Sequence, residues 1–173
     1  KVLPQLADTA EIVAYARSKP GLTVAALVPN ARGAEAAIAA GAHKITLPVS
    51  VSETHSLRNV KRTHQQMLGE ARTIVALLRQ VPETQRPKFE GSLSTAFGCT
   101  LEGPVPEERV VALAETLIAI GCDEVGLADT SGYANPVQVK CLTQAVWRAV
   151  GHQHLSGVHL HNTRGQGLAN VIA

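Results

Sequence analysis

The sequence predicts an α/β protein in which βα units are arranged around a parallel sheet. Short apolar runs alternate with longer amphipathic stretches along the 173 residues, which is the pattern of strand and helix in such units. The apolar runs are nearly continuous, as expected of strands that are covered on both faces. The 45% hydrophobic and 17% charged residues exclude a disordered tail or a fibrous repeat.

The first half of the chain contains a leading helix and two βα units. We expect a helix over residues 9–17, a first strand over residues 22–28, and a helix over residues 33–40 that ends at a glycine. The second strand covers residues 44–49. Apolar side chains at helical spacing then predict a long helix over residues 63–79.

The second half of the chain repeats the pattern with three further strands. The third strand covers residues 88–95 and is interrupted by a glycine and two serines. A proline, two acidic residues in the first turn and a following glycine define a helix over residues 106–120. A fourth strand over residues 124–128, a helix over residues 136–149 and a fifth strand over residues 155–161 complete the pattern.

Two architectures accommodate this order of elements. It fits a doubly wound open sheet, and it also fits part of a (βα)8 barrel. Length by itself favours the open sheet, because a complete barrel takes about 250 residues and five strands leave an incomplete barrel with unpaired edges. The chain lacks an initiator Met, and residues 167–173 resemble a helix cut off in its first turns, so we expect a fragment.

Charge and cysteine content exclude several functional classes. A formal charge of +2 is too even for a protein whose main partner is a nucleic acid. No apolar run approaches the roughly 18 residues that span a bilayer, and the first residues lack a signal-peptide pattern, so we expect no membrane partner. The widely spaced Cys99, Cys122 and Cys141 indicate a reducing compartment.

Polar residues follow nearly every predicted strand. Any one of them is an ordinary turn former, but their convergence on the carboxyl ends of parallel strands predicts a functional edge. The residues in question are Asn30, Ser50, Ser52, Glu53, Ser94, Thr95, Asp129, Thr130, His159 and His161.

The pair His159 and His161 is the most specific of these features. Side chains two residues apart on a strand point to the same face, about 7 Å apart, so both imidazoles are placed to hold one metal ion. The alternative is a pair of partly exposed histidines that make ordinary hydrogen bonds. A third ligand is then needed, and Asp129 is the candidate within the chain, unless it acts only as a turn former.

At several motifs the sequence resembles 3-hydroxy-3-methylglutaryl-CoA lyase, one of the metallolyase barrels that also include isopropylmalate and homocitrate synthases. The loop over residues 96–103 favours the lyase over the synthases. The matching stretches occur in family order and are residues 3–8, 28–30, 35–42, 52–53, 96–99, 102–103, 129–132, 159–163 and 165–170.

The resemblance implies roles for individual residues. His159 and His161 would bind a divalent cation, Mg or Mn, and Asp129 would be needed for activity. Either Asp129 or His159 would assist proton removal, with His161 purely a ligand. The remaining expected site residues contact the substrate (Asn30, Ser94, Thr130) or support those that do (Ser52, Glu53, Asn162).

The resemblance also implies that residues 1–173 are a partial TIM-barrel lyase domain with the third to seventh of eight strands. The family's first-strand Arg-Asp pair, its strand-eight asparagine ligand and its glycine-rich loop with the catalytic cysteine would lie outside the chain. Departures from the lyase pattern at Thr95, Asn162 and Arg164 leave the acyl group open. We further expect a homo-oligomer in the cytoplasm or the mitochondrial matrix, acting in leucine degradation.

Three functions follow as hypotheses. The first is retro-Claisen cleavage of 3-hydroxy-3-methylglutaryl-CoA, or a close analogue, to acetyl-CoA and acetoacetate. The second is a Claisen-type synthase of the isopropylmalate, homocitrate or citramalate kind. The third is a non-catalytic α/β ligand-binding domain in which the histidines are incidental.

Overall fold

A computed structural model describes residues 8–173 and contains one five-stranded parallel sheet with helices between its strands. Residues 3–7, which belong to the first matching stretch, lie outside the described part. The strands are β1 (Ala25–Leu27), β2 (Lys44–Ser50), β3 (Lys88–Ser94), β4 (Glu124–Ala128) and β5 (Leu155–His159). The helices are α1 (Thr9–Arg17), α2 (Ala31–Ala39), α3 (Glu53–Asn59), α4 (His64–Leu78), α5 (Glu107–Ile120), α6 (Pro136–Val150) and α7 (Gly167–Ile172).

The order of the strands distinguishes the two predicted architectures. The strands pair in the sequence β1-β2-β3-β4-β5, and every pair is parallel. A doubly wound sheet reverses its order at a switch point, and no reversal occurs here. Because parallel crossovers are right-handed, unreversed winding places the connecting helices on one face of the sheet. This is the winding of a (βα)8 barrel, and the open-sheet alternative is wrong.

The helix-covered face carries the hydrophobic core. On β2, the buried Ile45, Leu47 and Val49 alternate with half-buried residues, which is the period of a strand with two different faces. On β3, Gly91 admits the close approach of α5, since a Cβ atom there would lie 2.7 Å from a Leu117 methyl carbon. Burial of this face therefore fixes both the register of the strands and the position of the helices.

The opposite face carries a network of ion pairs near the amino ends of the strands. Lys44 binds the carboxylates of Glu90 and Glu124, the latter at 2.7 Å, and Lys88 binds Glu124 at 3.0 Å. Gly126 makes room for this network, because a Cβ atom there would lie 2.5 Å from Glu90 Oε1. In a closed barrel this face is the interior, so the network would lie inside the barrel at the amino ends of the strands.

Several element boundaries differ from the sequence predictions. β1 spans three residues, Ala25–Leu27, within the predicted range of residues 22–28. The helix predicted from residue 33 begins at Ala31, where Asn30 caps it. The helix α3 was not predicted, although Ser52 followed by an acidic first-turn residue is typical of a helix start.

Within residues 8–173, no helix combines the length and apolar character that crossing a bilayer requires.

The ion-pair network predicts a bell-shaped dependence of stability on pH. Burial alone would raise the pKa of Glu124, but hydrogen bonds from Lys44 and Lys88 outweigh it and lower that pKa. Burial lowers the pKa of Lys44, yet its hydrogen bonds to Glu124 and Glu90 raise that pKa overall. The contribution of Glu124 is thus lost as the pH falls through its lowered folded pKa, and that of Lys44 is lost as the pH rises through its raised folded pKa.

We expect Glu124→Gln to lower the free energy of unfolding at neutral pH by about 1–2 kcal/mol, because hydrogen bonds to a charged group are lost. It should also flatten the acid limb of a stability-pH curve measured by urea denaturation. Glu115→Gln, at an exposed position of α5, is the matched control. Equal effects of the two substitutions would contradict a stabilising role for the network.

Candidate active site

The backbone pairing of the sheet continues past the strand ends and holds the carboxyl edge together. The Val51 amide donates to the Ser94 carbonyl, and the Ala96 amide donates to the Ala128 carbonyl. The Asp129 amide donates to the His159 carbonyl at 2.8 Å. The residues that follow β2, β3, β4 and β5 therefore form one continuous edge, which is where barrel active sites are built.

The structure brings the two histidines together at this edge. β5 ends at His159, so the predicted strand is two residues too long and His161 lies beyond it. The centres of the two imidazole rings are 4.9 Å apart, less than the predicted strand spacing of about 7 Å. Their Nε2 atoms are 3.2 Å apart and their ring planes are nearly perpendicular, at 86°. Both residues are exposed, so a ligand can reach the facing nitrogens.

Asp129 contacts His159 through its backbone amide, and the residue is only 1% exposed. Its Oδ1 atom accepts hydrogen bonds from the amides of Tyr133 at 2.8 Å and Ala134 at 3.1 Å. Its Oδ2 atom is buried and has no hydrogen-bond partner. A buried carboxylate oxygen without a partner is unusual and marks a position where a ligand or proton would complete the bonding.

The described residues supply two convergent metal ligands at most. Among residues 8–173, no three His, Cys, Asp or Glu side chains come together as a metal site. The structure therefore does not group Asp129 with His159 and His161, and Asp129 instead organises the loop after β4.

Thr95, one of the polar residues predicted at the functional edge but given no individual role there, connects three strand ends. Its amide donates to Thr130 Oγ1 at 2.8 Å, and its own hydroxyl accepts from the Ser52 amide at 3.1 Å. The same hydroxyl donates to the Ser94 carbonyl at 2.6 Å. Thr95 is fully buried at a φ of 58°, a conformation that is strained for a β-branched residue and recurs at functional sites.

Ser52 and Glu53 organise α3 rather than face the histidines directly. Ser52 Oγ caps α3 by accepting from the His55 amide at 3.1 Å, and Glu53 Oε1 accepts from the amide of His64 at the start of α4. His55 Nδ1 lies 2.8 Å from the hydroxyl of buried Ser50, a contact that sequence reasoning did not anticipate. These bonds fix the segment that follows β2.

The two predicted asparagines are also engaged in local bonds. Asn30 Oδ1 accepts from the Gly33 amide and caps α2, and Asn162 Oδ1 accepts from the Gly167 amide at the start of α7. Ser94 lies half-buried in register with Ser50 on the interior face. Asn30 follows β1, the strand farthest in the sheet from His159.

The loop over residues 96–103 is anchored by Glu102. Its Oε1 atom accepts from the Thr54 amide at 2.7 Å, and its Oε2 atom binds Arg109 at 3.3 Å. Burial opposes ionisation of Glu102, but the hydrogen bonds of Thr54 and Ser52 and the charge of Arg109 lower its pKa overall. The loop that distinguishes the lyase pattern is thus docked on α3.

Sequential parallel winding and a polar carboxyl edge identify the chain as part of a (βα)8 barrel. A family model described as HMGL-like matches residues 4–173. The chain belongs to the HMGL-like family.

Curated relatives match over nearly the whole chain. It is 35% identical to hydroxymethylglutaryl-CoA lyase of Bacillus subtilis over 175 residues, which cover 99% of the chain and 56% of that protein. It is also 35% identical to 3-hydroxy-3-isohexenylglutaryl-CoA/hydroxy-methylglutaryl-CoA lyase of Pseudomonas aeruginosa, covering 100% of the chain and 56% of that protein. The chain therefore spans little more than half the length of these relatives.

Solved structures agree with the sequence relatives. The hydroxymethylglutaryl-CoA lyase of Pseudomonas aeruginosa superposes with a TM-score of 0.87 at 35% identity, covering 99% of this chain and 55% of that one. An HMG-CoA lyase of Acinetobacter baumannii in complex with coenzyme A and 3-methylmalate gives a TM-score of 0.89 at 36% identity, covering 98% and 53%. The five strands are thus a partial barrel of the HMG-CoA lyase type.

We expect Thr95→Val to lower the free energy of unfolding by about 1–3 kcal/mol, because the buried Ser52 amide loses its acceptor. Thr95→Ser keeps the hydroxyl and should lose only about 0.8 kcal/mol for the missing methyl group. Thr116→Val on α5, which removes a hydroxyl bonded within its own helix, is the control. Urea denaturation measures the free energy of unfolding of each variant. Equal losses for Thr95→Val and Thr116→Val would contradict a stabilising role for the Thr95 hydroxyl.

Proposed function

We propose that the protein is a divalent-metal-dependent lyase that cleaves 3-hydroxy-3-methylglutaryl-CoA, or a close analogue, to acetyl-CoA and acetoacetate. The observation that carries the proposal is the pair of exposed imidazoles whose Nε2 atoms converge to 3.2 Å at the carboxyl edge. Membership of the HMGL-like family and the names of the relatives support the same reaction.

The proposed substrate is an acyl-CoA with a branched 3-hydroxyglutaryl group. The relative from Pseudomonas aeruginosa is named for both an isohexenyl and a methyl substrate, and the structure from Acinetobacter baumannii contains coenzyme A. We assign contacts with the acyl group to Thr130, Ser94 and Asn30. Thr130 Oγ1 accepts from the Thr95 amide, so its own proton is available to a substrate oxygen.

The histidine pair fits a divalent cation, Mg or Mn. Adjacent ligands on an octahedral ion with bonds of about 2.1 Å lie about 3 Å apart, close to the observed Nε2 separation. Two neutral imidazoles facing each other need either a shared proton or a cation between their lone pairs. When bound, such a cation would lower the pKa of the substrate hydroxyl and orient the bond to be broken.

The chain's own residues would move the proton that starts the reaction. The tertiary hydroxyl loses its proton to a base, the bond between the hydroxyl-bearing carbon and the CH2 of the thioester breaks, and a ketone forms. The bonding electrons pass to the thioester enolate, which takes up a proton at carbon to give acetyl-CoA. His159 is exposed at the edge and Asp129 has one free carboxylate oxygen, so these two side chains are the candidates to receive the proton. His161 then serves as a ligand only.

Two of the expectations stay predictions. Relatives named cytoplasmic in the mouse and mitochondrial in Arabidopsis thaliana leave both compartments open for this protein. A homo-oligomer also remains a prediction. The synthase alternative is tested by comparing cleavage of 3-hydroxy-3-methylglutaryl-CoA with condensation of acetyl-CoA and a 2-oxo acid.

His161→Ala should abolish metal-dependent cleavage, with a loss of at least about 100-fold in kcat/KM, because a metal contributes several kcal/mol to such reactions. Isothermal titration with Mn²⁺ should show the matching loss of affinity. His152→Ala is the control, since His152 belongs to a second histidine pair of the same spacing that precedes β5. Full activity of the His161 variant would reject the assignment.

The substitution Asp129→Asn tests whether Asp129 or His159 accepts the proton. The Asn side chain keeps an oxygen for the amides of Tyr133 and Ala134 but cannot take a proton from the substrate. If Asp129 is the base, we expect kcat to fall by about 100-fold or more, the usual contribution of a general base. A fall of less than about tenfold, measured beside His159→Gln, would assign the base to His159.

A further inference from the structure

Two consecutive peptide groups in the β4–α6 loop lie between side chains of opposite charge. The amides of Tyr133 and Ala134 both donate to Asp129 Oδ1. The carbonyls of the same two peptide groups belong to Gly132 and Tyr133. Both carbonyls accept hydrogen bonds from Arg164, from Nε at 3.1 Å and from Nη2 respectively.

This arrangement links the two charges through the backbone. In each peptide group the N–H end faces the carboxylate and the C=O end faces the guanidinium, so both charges stabilise the same orientation of the peptide dipole. Arg164 Nη2 is also 3.4 Å from the Ala134 carbonyl, and its guanidinium lies 5.9 Å from the centre of the Tyr133 ring. The planar fork of arginine is what allows one side chain to bind successive carbonyls.

The link joins the two loops that carry the candidate site. Arg164 lies in the β5–α7 loop, three residues after His161, and Gly132 lies in the loop that begins with Asp129 and Thr130. The loops are in direct contact there, since a Cβ atom on Gly132 would overlap the Thr163 side chain. Gly132 also has a φ of 68°, a conformation that glycine adopts without strain.

We propose that Arg164 is a positioning residue that fixes the β4–α6 loop, and with it Asp129 and Thr130, against the loop that carries His161. The role rests on the proposed function, because it assigns Arg164 to the cleavage step through Asp129 and Thr130. Arg164 binds backbone carbonyls, and other side chains make the proposed contacts with the acyl-CoA. Because Arg164 binds the two peptide groups that Asp129 holds, its loss affects Asp129 more directly than Thr130, so we expect kcat to change more than KM.

The test compares Arg164→Gln and Arg164→Lys with the parent protein. Arg86→Gln is the matched control, since exposed Arg86 also donates to a backbone carbonyl, that of Val81, but at the amino side of β3. Hydrogen exchange of the Tyr133 and Ala134 amides is measured by NMR. Cleavage of 3-hydroxy-3-methylglutaryl-CoA in the presence of Mn²⁺ gives kcat and KM.

In both Arg164 variants we expect exchange at Tyr133 and Ala134 to become about tenfold faster and kcat to fall about tenfold, with KM within about twofold of the parent. Lysine should not restore either value, because a single ammonium group does not span two carbonyls. Unchanged exchange, an unchanged kcat, a rise in KM with kcat preserved, or full rescue by lysine would each overturn the proposal. A parent without cleavage activity would refute the proposed function, and the exchange rates would still decide whether Arg164 holds the loop.

Discussion

The unreversed parallel pairing of five strands is the constraint on which the rest of the structure depends. It places the helices that connect consecutive strands on one face, and the carboxyl ends of β1 to β5 at one edge. Only because of this order do Ser94, Asp129 and His159, which are far apart in the chain, become neighbours along one line of backbone hydrogen bonds. The chemistry of the site is therefore a consequence of topology as much as of residue type.

The interior face of the sheet divides into two zones with different roles. Near the amino ends, Lys44 neutralises two carboxylates, and the bonds are satisfied within the protein. Near the carboxyl ends, Asp129 keeps a buried oxygen without a partner and the histidines face each other at the surface. Satisfied polar groups stabilise a fold, whereas unsatisfied ones at a strand end are what a ligand completes. This contrast supports our proposal that the functional site lies at the carboxyl edge.

The sequence predicts those features that depend on local pattern. The apolar stripe and flanking proline and glycine of α5 locate that helix closely, and the spacing of His159 and His161 predicts their meeting. The sequence does not predict features that depend on contacts between residues far apart in the chain. Lys44 and Glu124 are 80 residues apart, and the positive φ of Thr95 follows from its contacts with neighbouring strand ends. The start of α3 also follows from a local pattern, since Ser52 and the acidic Glu53 are typical of a helix start.

Crystals of the protein grown with Mn²⁺, measured at a wavelength where manganese scatters anomalously, test the central claim most directly. We expect one anomalous peak within about 2.5 Å of both His159 Nε2 and His161 Nε2, the distance of direct coordination. A peak elsewhere, or none while the two nitrogens remain in mutual contact, would show that the pair is an ordinary hydrogen bond and would contradict a metal-dependent lyase built on it.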